Sequence, residues 1–134
     1  MTTPLHVLPS PCTSCPYRRD TPSGVWHESE YEKLRSYDTN EAFAVFLCHH
    51  STEAGKNTVC RGWLSVHDES VAARLAVARG EITNEQRYAK VAEPLYKSGN
   101  KAADAGMAGI KRPGRKARKV IERLKRTRRK RHAN

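Results

Sequence analysis

Pro11-Cys12-Thr13-Ser14-Cys15-Pro16 decides how this chain is read. Two cysteines separated by two residues and held between prolines predict a tight loop. In such a knuckle two thiolates reach one metal while backbone N–H groups point at the sulfurs. Outward from the knuckle stand two more cysteines, Cys48 and Cys60, so the spacing runs C-x2-C, 32 residues, C-x11-C. Cys48 closes the apolar run from Ala42 to Leu47, whose periodicity fits a buried strand and a helix segment equally well. Cys60 opens a helical pattern that places Cys60, Trp63, Leu64 and His67 on one face. A helix N-terminus favours a thiolate through its partial positive charge.

A metal staple would explain how a chain of this composition folds. Val, Leu, Ile and Phe account for only 22 of the 134 residues. That share lies under the roughly 20% below which a highly charged chain tends not to fold alone. A structural zinc contributes about 10–16 kcal/mol of apparent folding free energy in small peptides, comparable with the whole net stability of a domain. The start of the chain has no basic segment followed by a long apolar one, and no stretch is long and apolar enough to span a membrane. The expected compartment is therefore cytoplasmic, where four cysteines point to metal or redox chemistry before disulfides. The expected ligands are Cys12, Cys15, Cys48 and Cys60. His49 or His50 is an alternative ligand or a neighbour of the site; His67 is too far along the helix from Cys60 to share one ion with it unless the helix breaks between them, and is expected to hydrogen-bond near the site or to sit in the core. Zinc is the expected metal and a [4Fe–4S] cluster the alternative.

Around the cysteines the elements are short. Residues 1–11 read as an extended lead-in, and Arg18 to Gly24 as turns. Ser29 and Glu32 fit a capping box before a helix that buries Tyr31 and Leu34. Trp26 is expected to pack over the knuckle, and Trp63 to belong to the core. Residues 49–59 read as a loop. Asp68 is the expected N-cap of a helix through Arg79 that Gly80 ends, and Thr83 with Gln86 caps another reaching about Glu93. Residues 101–109, rich in Ala and Gly, predict a closely packed helix. Pro113-Gly114 marks a boundary before a basic helix with a narrow apolar stripe of Ala117, Val120, Ile121 and Leu124. The expected fold is mostly α: a small metal-stapled domain over residues 1–110, with a short irregular N-terminal segment, and a basic C-terminal helix or tail over 111–134.

Pro11-Cys12-x-x-Cys15-Pro16-Tyr17-Arg18, Asp20-x-Pro22-Ser23-Gly24-Val25-Trp26, Phe46-x-Cys48-His49 and Cys60-x-Gly62-Trp63-Leu64 together resemble a family of small cysteine-rich proteins of actinobacteria and their phages, classed as a domain of unknown function. The resemblance covers roughly residues 10–110. It implies a cytosolic setting, host- or phage-encoded, and no established activity. Gly24-Val25-Trp26 and the basic end also resemble WhiB-like regulators, which carry four cysteines on a [4Fe–4S] cluster. In those proteins the turn follows all four cysteines, whereas here it follows the C-x-x-C.

Charge is divided unevenly. Residues 111–134 hold 13 Lys and Arg against one acid, while residues 1–110 are near neutral. Lys111, Arg112, Arg115, Lys116, Arg118, Lys119, Arg123, Lys125, Arg126, Arg128, Arg129, Lys130 and Arg131 are the candidate nucleic-acid-binding residues, because such a run neutralises phosphates and releases their counterions. The expected partner is DNA or RNA, with an acidic protein as the alternative. The apolar stripe is too narrow for a membrane surface. Neither a Gly-rich phosphate loop nor a nucleophile elbow occurs, so a binding or regulatory module reads ahead of an enzyme. A redox-responsive [4Fe–4S] regulator is one alternative function. The order His49, His50, Asn57, His67 leaves a small metal-dependent nuclease as another.

Overall fold

A computed structural model of the protein describes residues 4–39, 44–48 and 57–133, with side chains through residue 126. Helix α1 (Glu28–Ser36) begins where the His27 ring accepts the Ser29 N–H at 3.1 Å. The cap is therefore His27 and not the expected Ser29. Ser29 already lies inside the first turn, its hydroxyl against His27 Nδ1 at 2.9 Å. Glu28 and Glu30 in the first turn and Lys33 and Arg35 in the last complement the helix dipole. The inward face carries Tyr31 and Leu34, both buried as their spacing predicts.

Helix α5 (Gly99–Met107) packs against α1. Its buried face is Gly99, Ala102, Ala103 and Gly106, with no side chain larger than a methyl group. Gly99 lies against the Leu34 carbonyl, and a Cβ on Gly106 would enter the Tyr31 ring. The small residues thus set the closeness of approach, and the start of α5 meets the end of α1, so the two run in opposite directions. Asp38, just past α1, accepts the N–H groups of Gly99 at 2.7 Å and Asn100 at 2.8 Å, which satisfies orphan donors at the start of α5.

The expected lead-in and loop both contain a strand. Strand β1 (His6–Val7) pairs in parallel with β2 (Thr58–Val59), with His6 opposite Thr58 and Val7 opposite Val59. Val59 also bridges Leu47 in antiparallel sense. Its side chain is fully buried, which is why residues 58–59 leave the loop expected there. Residues 49–56 lie outside the described residues.

Helix α2 (Arg61–Val66) starts at Cys60, as the pattern predicts. Helix α3 (Val71–Ala78) is capped by Ser70, whose hydroxyl accepts the Ala73 N–H at 3.1 Å, and not by the expected Asp68. Helix α4 (Asn84–Arg87) has the predicted reciprocal box of Thr83 and Gln86 but stops at Arg87, short of Glu93. The Arg87 guanidinium turns back to the Asp68 carbonyl at 2.6 Å. Past it, residues 88–93 are exposed or half-buried and give a longer helix no apolar face to bury. Helix α6 (Arg115–Ala133) closes the chain. Trp63, Leu64, Tyr17, Tyr31 and Leu34 belong to the core, and Cys15 and Cys60 are buried in the same cluster.

Candidate metal centre and basic helix

The knuckle is a hydrogen-bonded turn. Cys15 N–H donates to the Cys12 carbonyl at 3.0 Å, and Arg18 N–H to the Cys15 carbonyl at 3.1 Å. The Thr21 hydroxyl donates to the same Cys15 carbonyl at 2.8 Å. The Trp26 indole N–H donates to the Ser14 carbonyl at 2.8 Å, so Trp26 does lie on the knuckle. Cys48 and Cys60 arrive on paired segments. Cys48 N–H donates to the Thr58 carbonyl at 2.7 Å and Cys60 N–H to the Phe46 carbonyl at 2.8 Å, flanking the Leu47–Val59 bridge.

These backbones bring the four sulfurs into one neighbourhood. Cys15 Sγ lies 3.9 Å from Cys60 Sγ. The Cys12 Sγ lies 3.9 Å from Ser14 Oγ, and the Cys15 and Cys48 side chains both act on the Cys12 thiol. These pairwise interactions link the sulfurs in the order Cys48–Cys12–Cys15–Cys60, a row in which the Cys15–Cys60 pair is in contact, and all four are free thiols. They are adjacent in pairs: among the described residues no three His, Cys, Asp or Glu side chains stand already gathered about one point. Trp63 N–H, in the first turn of α2, donates to Cys60 Sγ at 3.4 Å. Gly62 lets α2 approach this closely, because a Cβ there would stand 2.8 Å from both Cys15 Sγ and Tyr17 Cβ.

The surroundings hold protons on Cys12 and Cys15. The hydrogen bond with Cys15 raises the Cys12 thiol above its ordinary value; Cys48 opposes this and burial adds to it. At Cys15 the hydrogen bond with Cys12 favours the thiolate, but the Cys60 sulfur and burial outweigh it and push the thiol well up. Burial likewise pushes up the Tyr17 hydroxyl, which has no hydrogen-bond partner among the described residues. Arg61, beside Cys60, is almost fully buried and spans to Ser65 Oγ at 3.0 Å and the Gln86 carbonyl at 2.6 Å. Burial lowers its pKa, while the neighbouring Cys60 works in the opposite direction.

The histidines fall elsewhere. His49 and His50 lie outside the described residues. His67 Nε2 lies 2.7 Å from Asp38 Oδ1 and Nδ1 lies 3.0 Å from the Trp63 carbonyl, so both ring nitrogens face acceptors. The ring stacks on Trp63, with centroids 5.6 Å apart. His67 thus ties the end of α2 to the carboxylate that caps α5. Of the residues ordered for the nuclease reading, Asn57 is bonded through its carbonyl to His6 N–H at 3.0 Å. Sequence reasoning did not single out Asp38 or Arg61. Asp38 acts across 61 residues, with no local pattern to mark it.

On α6, Ala117 is buried and Val120, Ile121 and Leu124 are half-buried, as the stripe predicts. Arg115, Lys116, Arg118, Lys119, Arg123, Lys125 and Arg126 are exposed, as are Lys111 and Arg112 just before the helix. The backbone stays helical through Ala133, while the side chains of Arg128, Arg129, Lys130 and Arg131 lie outside those described. Among the described residues no helix is long and apolar enough to cross a membrane.

A family of unknown function (DUF6283) matches the chain over residues 7–128, a span that extends past the roughly 10–110 of the motifs into the basic helix. Neither the curated proteins nor the solved structures give a match.

Proposed function

The chain belongs to DUF6283, a family of unknown function, and we propose that it is a zinc-binding interaction or regulatory module whose basic C-terminal helix attracts nucleic acid. The observation that carries the metal half is the 3.9 Å between Cys15 Sγ and Cys60 Sγ. With metal–sulfur bonds of about 2.3 Å, two thiolates on one tetrahedral ion stand about 3.8 Å apart. A [4Fe–4S] cluster gives each cysteine its own iron and spreads the sulfurs farther, so the short separation favours a single ion. Cys12 and Cys48 continue the row, and each cysteine has one side-chain torsion with which to turn its sulfur inward. An ion there replaces thiol protons and joins the N-terminal knuckle, the 46–48 segment and the start of α2. Trp63 N–H and the nearby Arg61 offset part of the negative charge of four thiolates.

The nucleic-acid half rests on the exposed cations of α6, which is held to the body by its apolar stripe. DNA and RNA share the phosphate chemistry this helix would meet.

Elemental analysis of the purified full chain tests the metal. One zinc per chain, and the intense visible bands of a tetrahedral thiolate site when cobalt replaces it, are expected. A brown, iron-containing protein substitutes the cluster for zinc. A metal-free chain that folds identically in chelator overturns both. For the helix, replacing Arg118, Lys119 and Arg126 by Gln should lower oligonucleotide affinity and flatten its salt dependence by roughly one unit of slope for each phosphate no longer neutralised. Unchanged, salt-insensitive binding rejects it.

A further inference from the structure

The basic segment contains no aromatic residue, yet the fold supplies one. A cleft of about 370 Å³ runs between the Gly24–Trp26 turn with the start of α1 and the apolar stripe of α6. Trp26, His27 and Glu30 form one wall; Ile121, Leu124 and Lys125 form the other. We propose that this cleft takes an unstacked nucleobase, with the attached phosphates led along the cations of α6, so that the ligand is single-stranded nucleic acid. The inference rests on the nucleic-acid reading of α6 and specifies which form of nucleic acid it takes.

Two features support it. The first is rigidity. The Trp26 ring is pinned by its N–H to Ser14, and its backbone N–H donates to the Tyr31 hydroxyl at 3.1 Å. The turn before it is tied to the end of α5: Gly24 N–H donates to the Gly106 carbonyl at 2.8 Å, and Ser23 Oγ accepts the Gly109 N–H at 2.8 Å. A ring fixed in advance stacks on a base without an ordering cost. The second is the distribution of charge. Lys125 stands at the α6 edge with the other exposed cations of that helix, whereas the opposite wall carries Glu30, whose carboxylate is paired with Lys33 at 3.3 Å. A phosphate is therefore drawn to the run of cations on the helix, while the apolar side chains and the indole accept a flat, uncharged base. Stacking on an aromatic residue tolerates any base, so strandedness and not sequence is the expected selectivity.

The test uses the full chain as purified and three probes of equal length: oligo(dT), an abasic oligodeoxynucleotide, and a duplex. Oligo(dT) should bind roughly tenfold more tightly than the abasic strand and quench tryptophan emission. That signal reports Trp26, because Trp63 is 1% exposed inside the core. Trp26→Ala should remove the difference. Because Trp26 also braces the knuckle, Leu124→Arg provides a second variant: it fills the cleft and adds a cation, so abasic binding should persist while the advantage of bases disappears. Equal, salt-dependent binding of oligo(dT) and abasic strand without quenching overturns the cleft and leaves the cationic helix standing. Preference for the duplex does the same. Failure to bind any probe overturns both readings.

Discussion

The α1–α5 pair and the cysteine corner solve the same shortage of apolar residues by different means. Between α1 and α5 the answer is closeness: Gly99, Ala102, Ala103 and Gly106 let the Tyr31 ring and the Leu34 backbone come up against a helix with almost no side chains. Dispersion contacts at that range need no ligand. At the cysteine corner three loop-borne segments meet through sulfur atoms, and the groups around them hold protons that a metal must displace. The first region is complete as a polypeptide. The second, on our reading, is completed by an ion, and only the second should lose contacts directly to a chelator.

The largest effect should come from Cys60→Ala, which removes a sulfur of the row and the N-cap of α2 together. A loss exceeding about 5 kcal/mol is expected, because it combines a structural metal with a cap. Circular dichroism should show a largely unfolded body, and elemental analysis should show no bound zinc. Native-like melting with Cys60→Ala would erase the contrast. On the other side, Gly106→Val drives a side chain into Tyr31 and should cost about 1–3 kcal/mol by denaturant unfolding, with zinc content kept at one per chain. Gly62→Ala falls between the regions. Its new methyl meets both Cys15 Sγ and Tyr17 Cβ, so a loss of about 1–2 kcal/mol should come with weaker zinc affinity in a chelator competition. Were the affinity unchanged, the approach of α2 would matter to packing alone.

The two regions also differ in how much of them the sequence discloses. Cys12, Cys15 and Cys60 are marked by local signals, a knuckle spacing and a helix start, and the structure brings Cys15 and Cys60 together across 45 residues. The Ala/Gly content of α5 likewise announces close packing before its partner is known. What sequence reading misses are interactions between distant residues that leave no periodic trace. Asp38 caps α5 and holds His67, but its surroundings read as the polar end of α1. Strands β1 and β2 have two residues each, too short for alternation to show, and exist because Val59 is buried between two neighbouring segments. His27 and Ser70 displace the expected caps Ser29 and Asp68 by two residues each; several capping residues stand in a row there, and tertiary contacts choose among them. The position of Trp26 in the chain points to the knuckle, while its second neighbour, α6, is not legible, because nothing in the basic segment says which surface its stripe will cover.

The smallest expected effect is a pH dependence that separates the regions without any substitution. In the metal-free chain the Cys12 and Cys15 thiols are raised, so the folded form keeps protons that the unfolded chain begins to release near a thiol pKa of about 8.5. The folded state then binds more protons than the unfolded state, and stability falls as pH rises through that value. Over two thiols the loss by pH 8.5 should amount to about 1 kcal/mol relative to pH 7, read as a lower melting temperature in chelator with an osmolyte present to keep the metal-free chain folded. The zinc-loaded chain should behave in the opposite sense. Metal binding expels those protons, so zinc uptake should acidify a weakly buffered solution and tighten as pH increases. A metal-free protein whose melting is flat across this range would mean that the sulfurs do not hold their protons in the fold, and the corner would then differ from the α1–α5 pair in composition only.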